Sequence, residues 1–154
     1  MKKIILLLMS ILLITGCGAK TLLTLDLDKA KKDIEELKIK DDYLYSKLDY
    51  VTSDEIKDTY QFETKYFDEF VIAMPKIKIN ANMYMILKVK KGKMTEAKNE
   101  LAHFDEKYIE QWKLYLPDQA KLVENKLETQ KDDYLIYIVS SDNNKVLKAI
   151  LNSK

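Results

Sequence analysis

The chain has no arginine: all of its 26 basic residues are lysine. Without a guanidinium it lacks the usual bidentate reader of phosphate and carboxylate. Against 25 acidic residues those lysines leave a formal charge of only +1, which is no electrostatic footprint for nucleic acid, so nucleic acid is not an expected partner. His103 is the only histidine. It has Glu100 and Glu106 at three-residue spacing on an expected helix, a poor metal set that reads as a surface histidine. Three glycines are too few for a glycine-rich phosphate loop, and no serine sits in a nucleophile elbow. The acidic pairs Asp41-Asp42 and Asp132-Asp133 flank expected elements and read as solvated ends. No cofactor and no metal are expected, and an enzyme is the minority reading.

Cysteine is equally scarce, and the single one is placed where it matters. Cys17 follows Lys2 and Lys3, an apolar run from Ile4 to Ile14, and the small pair Thr15-Gly16. A cationic start, an apolar stretch and small residues before a cut are the three parts of an export signal. Eleven helical residues rise only about 16 Å, against a hydrocarbon core of about 30 Å, so the stretch targets the chain without spanning a membrane. The tetrad Ile14-Thr15-Gly16-Cys17 resembles the lipobox of bacterial lipoproteins. That resemblance implies a diacylglyceryl group on the Cys17 thiol and cleavage between Gly16 and Cys17. An ordinary secretory signal with a chance cysteine is the alternative, and it would leave a reactive thiol without a partner. The expected layout is a signal peptide over 1–16, a lipidated N-terminus and tether over 17–27, and a single domain over 28–154.

Loss of the signal removes Lys2 and Lys3, leaving 24 lysines against 25 acidic residues and a formal charge of −1. With its cysteine lipidated, the remaining domain has no disulfide and no zinc-thiolate site, and stands on its apolar core. Two acyl chains on one sulfur suffice for firm attachment, so no polybasic patch is needed beside the tether. The first lysines after the signal, Lys20, Lys29, Lys31 and Lys32, are indeed interleaved with Asp26, Asp28, Asp33 and Glu35. The expected location is the outer face of the cytoplasmic membrane.

Periodicity supplies the architecture. Asp28 reads as the N-cap of a first helix with Ala30, Ile34 and Leu37 on one side, and a short helical turn starts at Ser53. Residues 66–74 and 82–90 read as two antiparallel strands around Pro75 and Asn80. Beyond the Lys90-Lys91-Gly92-Lys93 turn, Met94, Ala97, Leu101, Phe104, Tyr108, Trp112 and Tyr115 form a helical stripe that Pro117 ends. A following helix carries Ala120, Val123 and Leu127, residues 133–139 form a strand apolar on both sides, and Ser141-Asp142 caps a last helix. The expected fold class is α+β: a small two-layer domain with a three-stranded, largely antiparallel sheet in the order α-β-β-α-α-β-α.

From about residue 65 to 151 the chain resembles a family of small lipoproteins of Gram-positive bacteria catalogued as a domain of unknown function. The resemblance rests on Tyr115-Leu116-Pro117-Asp118-Gln119, Tyr134 and Ser140-Ser141-Asp142. It implies a lipobox-plus-domain layout and brings no activity. Asn80-Ala81-Asn82 stands where that family often has an acidic residue.

Ten tyrosines, four phenylalanines and one tryptophan are dense around residues 60–70 and 108–115. Such side chains fill cores and also favour binding surfaces. If some of them form a patch, its expected members are Trp112, Tyr115 and Pro117 with Tyr66 and Phe70, facing a protein or glycan. The favoured expectation is a non-catalytic, membrane-anchored interaction module. A small-ligand-binding or transport-accessory lipoprotein is the second, and a carboxylate hydrolase the third.

Overall fold

The computed structural model describes residues 22–37, 48–76 and 79–154. Cys17, Gly16 and the rest of the expected signal lie outside the described residues, as does the Asp41-Asp42 pair. The element order is α1 (Leu27–Glu35), β1 (Leu48–Tyr50), α2 (Ser53–Tyr60), a 3-10 turn (Thr64–Tyr66), β2 (Phe67–Pro75), β3 (Met83–Val89), α3 (Met94–Tyr115), α4 (Pro117–Glu124), β4 (Leu127–Lys131), β5 (Tyr134–Val139) and α5 (Asn143–Asn152). Among the described residues no helix is long and apolar enough to cross a membrane.

The five strands form one antiparallel sheet in the order β1-β2-β3-β5-β4. The class is α+β as expected, but the sheet has five strands instead of three. Both additions are edge strands. Leu48–Tyr50 is three residues long and largely exposed, and Leu127–Lys131 reads Leu-Glu-Thr-Gln-Lys with only partial burial. Short, charged edges discourage pairing with other chains and carry almost no apolar signal. Leu127, expected on a helix with Val123, starts β4 instead, because the chain leaves α4 at Asn125 and turns into the edge. The Asp132-Asp133 pair is the β4–β5 hairpin turn, with Asp132 at φ 50°.

Neither face of this sheet is open to solvent. Alternation along β3 sends Met83, Met85, Leu87 and Val89 to one side, where they meet α2, α3 and α4. Tyr84 and Ile86 go to the other, where they meet Ile136, Ile138 and helices α1 and α5. The domain therefore has three layers, not two. The central strand β5 is buried at all six positions, which is what cover on both sides requires.

Local chemistry sets the helix ends. Thr52 and Glu55 form a reciprocal capping box on α2. The cap of α1 is Asp26, whose carboxylate accepts from the Lys29 N–H at 2.9 Å, while Asp28 sits in the first turn and pairs with Lys31 at 2.7 Å. Gly92 reaches φ +78° in the turn into α3, a conformation that side chains disfavour. The folded body also begins earlier than Asp28. Leu25 is buried and its N–H donates to the Tyr134 hydroxyl at 3.3 Å, the Leu23 N–H donates to Asp132 Oδ2 at 2.9 Å, and the Asp26 N–H donates to the Ser153 carbonyl at 2.7 Å.

The α3 face of the core is aromatic, and its tyrosines are held neutral. Burial, together with the charge and hydrogen bond of Asp105 at 2.7 Å, drives the Tyr137 phenol far above the ordinary tyrosine range. Burial pushes Tyr60 up to about 12, opposed by its hydrogen bond to Gln111. An unfolded tyrosine loses its proton near pH 10, before these folded ones do. Stability is thus whole below about pH 10 and falls above it, by about 1.4 kcal/mol per pH unit for each such tyrosine. Urea midpoints at pH 9 and pH 11 are expected to show this drop, and a Tyr60→Phe, Tyr137→Phe double variant is expected to flatten it.

Candidate interaction surface

Helix α3 ends where the residue before Pro117 is forced out of helical geometry: Leu116 is extended, at φ −145° and ψ 90°. Pro117 then opens α4, which folds back with Lys113 and Glu124 bridging the two helices at 3.6 Å. At this corner the sequence Trp112-Lys-Leu-Tyr-Leu-Pro117 divides. Trp112 points inward and is 1% exposed, edge-on to Tyr108 at 6.1 Å. Leu114, Tyr115 and Leu116 are 84%, 74% and 41% exposed. The loop between β2 and β3 is tied to the same corner. The Ala81 N–H donates to Gln119 Oε1 at 2.8 Å, the Tyr108 hydroxyl donates to the Ala81 carbonyl at 3.1 Å, and the loop carries exposed Ile79.

The five residues expected to share a patch do not meet. Trp112 is core and offers no surface. Tyr115 and Pro117 stand out at the corner. Tyr66 and Phe70 are half-buried near the opposite end of the sheet, where the Lys90 N–H donates to the Tyr66 carbonyl at 2.9 Å and Phe70 pairs with Leu87. Twenty-two residues of α3 separate these ends, about 33 Å at 1.5 Å per residue. Leu114, Leu116 and Ile79 were not among the expected members. The legible signal was three consecutive large apolar residues, where one helical face has room for one.

A second concave place lies beside edge strand β1. A groove of about 500 Å³ is lined by Tyr50, Ile56, Tyr60, Met74, Pro75 and Lys76 among others. Tyr50 donates to Glu35 Oε1 at 2.6 Å, and the Lys31 ammonium lies 5.2 Å from its ring centroid. Burial and then the bond to Glu35 raise the Tyr50 phenol to about 12, so it is a hydrogen-bond donor at neutral pH. His103 is exposed on α3, and its neighbour Glu100 is engaged elsewhere, accepting the Glu63 N–H at 2.7 Å. Among the described residues no three His, Cys, Asp or Glu side chains are grouped to hold a metal.

Fold and surface together define a three-layer α+β domain with an apolar corner at one end. Residues 41–140 match the family model described as Domain of unknown function (DUF4358), and the chain belongs to that family. The matched span runs through all five strands and leaves out α1 and α5. No curated protein and no solved structure matches.

Proposed function

We propose that the protein is an extracytoplasmic lipoprotein, held to the membrane through Cys17, that displays the Leu114–Pro117 corner to a protein partner. The observation that carries the reading is the exposure of Leu114, Tyr115 and Leu116 side by side. Among the described residues the other exposed large apolar side chains, Leu22, Tyr50 and Ile79, are not consecutive in the chain, and a contiguous apolar cluster is the kind of surface that a partner covers. Position supports it too. The chain enters the fold at Leu22–Leu23, beside Asp132 and Lys90, at the opposite end of α3 from the corner. An anchor on Cys17 then leaves the corner facing away from the membrane.

A photo-crosslinker at Tyr115 is expected to capture a discrete partner that a crosslinker at exposed His103 does not. Leu114→Asp with Leu116→Asp is expected to abolish the capture without loss of fold. Equal capture from both sites contradicts the reading. The groove beside β1 favours a second one, a site for a small ligand that donates a hydrogen bond to the Tyr50 hydroxyl oxygen, whose own proton goes to Glu35. Tyr50→Phe is expected to weaken such a ligand about tenfold, read by calorimetry.

A further inference from the structure

Leu22 and Leu23, the first described residues, fix where the chain meets the domain, and this has a consequence for the membrane. Leu23 is pinned to Asp132 and Leu25 to Tyr134, so only the residues from Cys17 to Leu22 separate the proposed anchor from the pinned chain. Five residues span at most about 17 Å. Resting on the lipid anchor proposed above, this brings one end of the domain within reach of the headgroups.

That end is rich in lysine. Lys90, Lys91 and Lys93 come from the turn before α3, Lys131 from the end of β4, and Lys65 from the 3-10 turn, all exposed. Lys93 is paired with Glu96 at 2.7 Å, Lys65 lies 4.0 Å from Glu63, and Lys90 Nζ donates to the Lys65 carbonyl at 2.8 Å. Among the described residues Lys90, Lys91 and Lys131 have no carboxylate within ion-pair distance. Two carboxylates stand among them, Asp132, whose Oδ2 accepts the Leu23 N–H at 2.9 Å, and Asp133, so three lysines outnumber two acids at this edge. A shallow depression of about 600 Å³ lies between these elements, lined by Leu22, Lys90, Lys91, Gly92, Met94 and Asp132 among others. Leu22 is 61% exposed on its rim. Lysines on long stems beside an apolar side chain suit a surface that is anionic outside and apolar beneath.

We propose that this end docks on membrane phospholipid, with Lys90, Lys91 and Lys131 against the headgroup phosphates, and so holds the domain upright. The tether alone sets a distance; the lysines add an orientation, and the Leu114 corner points away from the bilayer.

The test uses the mature, lipidated chain in vesicles containing a nitroxide-headgroup lipid. Because Cys17 carries the lipid, an introduced cysteine is the only thiol, and a fluorophore is placed at exposed Thr95, near the docking end, or at exposed Asp118, by the corner. In vesicles containing phosphatidylglycerol, Thr95→Cys is expected to be quenched strongly and Asp118→Cys hardly. Reversing Lys90, Lys91 and Lys131 to Glu is expected to lower the docked-to-undocked ratio at least fivefold per lysine, given about 1 kcal/mol for each cation near an anionic surface. Equal quenching at both labels, or quenching at Thr95 indifferent to charge reversal, overturns the docking while leaving the anchor intact. Protein that does not float with the vesicles overturns both.

Discussion

Phe104→Ala is expected to destabilise the fold by about 3–5 kcal/mol, a large fraction of the 5–15 kcal/mol typical of a domain. Phe104 is 1% exposed. The rings of Tyr60, Phe62, Tyr108 and Tyr137 stand 5.2, 5.8, 5.4 and 5.7 Å from its own, three of them edge-on. It is thus where α2, the segment after it, α3 and β5 meet. Truncation to alanine removes all four aromatic contacts and leaves a cavity that four rigid rings are slow to fill. Urea unfolding measures the loss. Tyr115→Ala, on the same helix but exposed, is expected to change stability by less than about 0.5 kcal/mol. Similar losses for the two variants contradict the assignment of inside and outside on α3.

Cys17→Ala is expected to release the protein from the membrane fraction almost completely. Each acyl methylene contributes about 0.8 kcal/mol of membrane affinity, so deleting two chains removes the dominant attachment. The lysines proposed to dock are too few to hold the unanchored domain by themselves at physiological salt. Fractionation of cells carrying the variant reads the outcome. Full retention of the Cys17→Ala chain contradicts an anchor at that sulfur.

How far the sequence revealed this fold depended on how much of each element is buried. Strands β2 and β3 and helix α3 are long and touch the core along most of their length, so their apolar pattern showed them directly. Pro117 marked the corner because the ring dictates the conformation before it. Strands β1 and β4 were not legible, since an edge strand buries little and Leu-Asp-Tyr or Leu-Glu-Thr-Gln-Lys looks like loop. The apolar run of β5 on both sides already implied cover on both faces, and hence three layers. Asp26 and Asp28 are alternative caps within one Leu-Asp-Leu-Asp stretch, and the choice was made by a distant contact, the Asp26 N–H to the Ser153 carbonyl.

The candidate surface was half legible for a similar reason. The helical stripe of α3 runs on to Tyr115 by period alone, but the surface it packs against ends at Trp112, so period placed Tyr115 inside the core pattern while its exposure makes it part of the corner. Trp112 drew notice as an interface type and proves to be a core residue. Leu114 and Leu116 lie off the stripe, and two leucines flanking a tyrosine have no common buried side on a helix. Tyr66 and Phe70 are adjacent to the corner in no sense that the sequence could rule out, because only the β2–β3 register places them at the far end of the sheet.

The anchor proposed at Cys17 underlies both the proposed placement of the corner and the proposed docking of the lysine-rich end. Intact mass spectrometry of protein extracted from membranes tests it most directly. A chain whose first residue is Cys17, heavier than the polypeptide by a diacylglyceryl group, is the predicted result. A free thiol, or a chain beginning at any other residue, contradicts it.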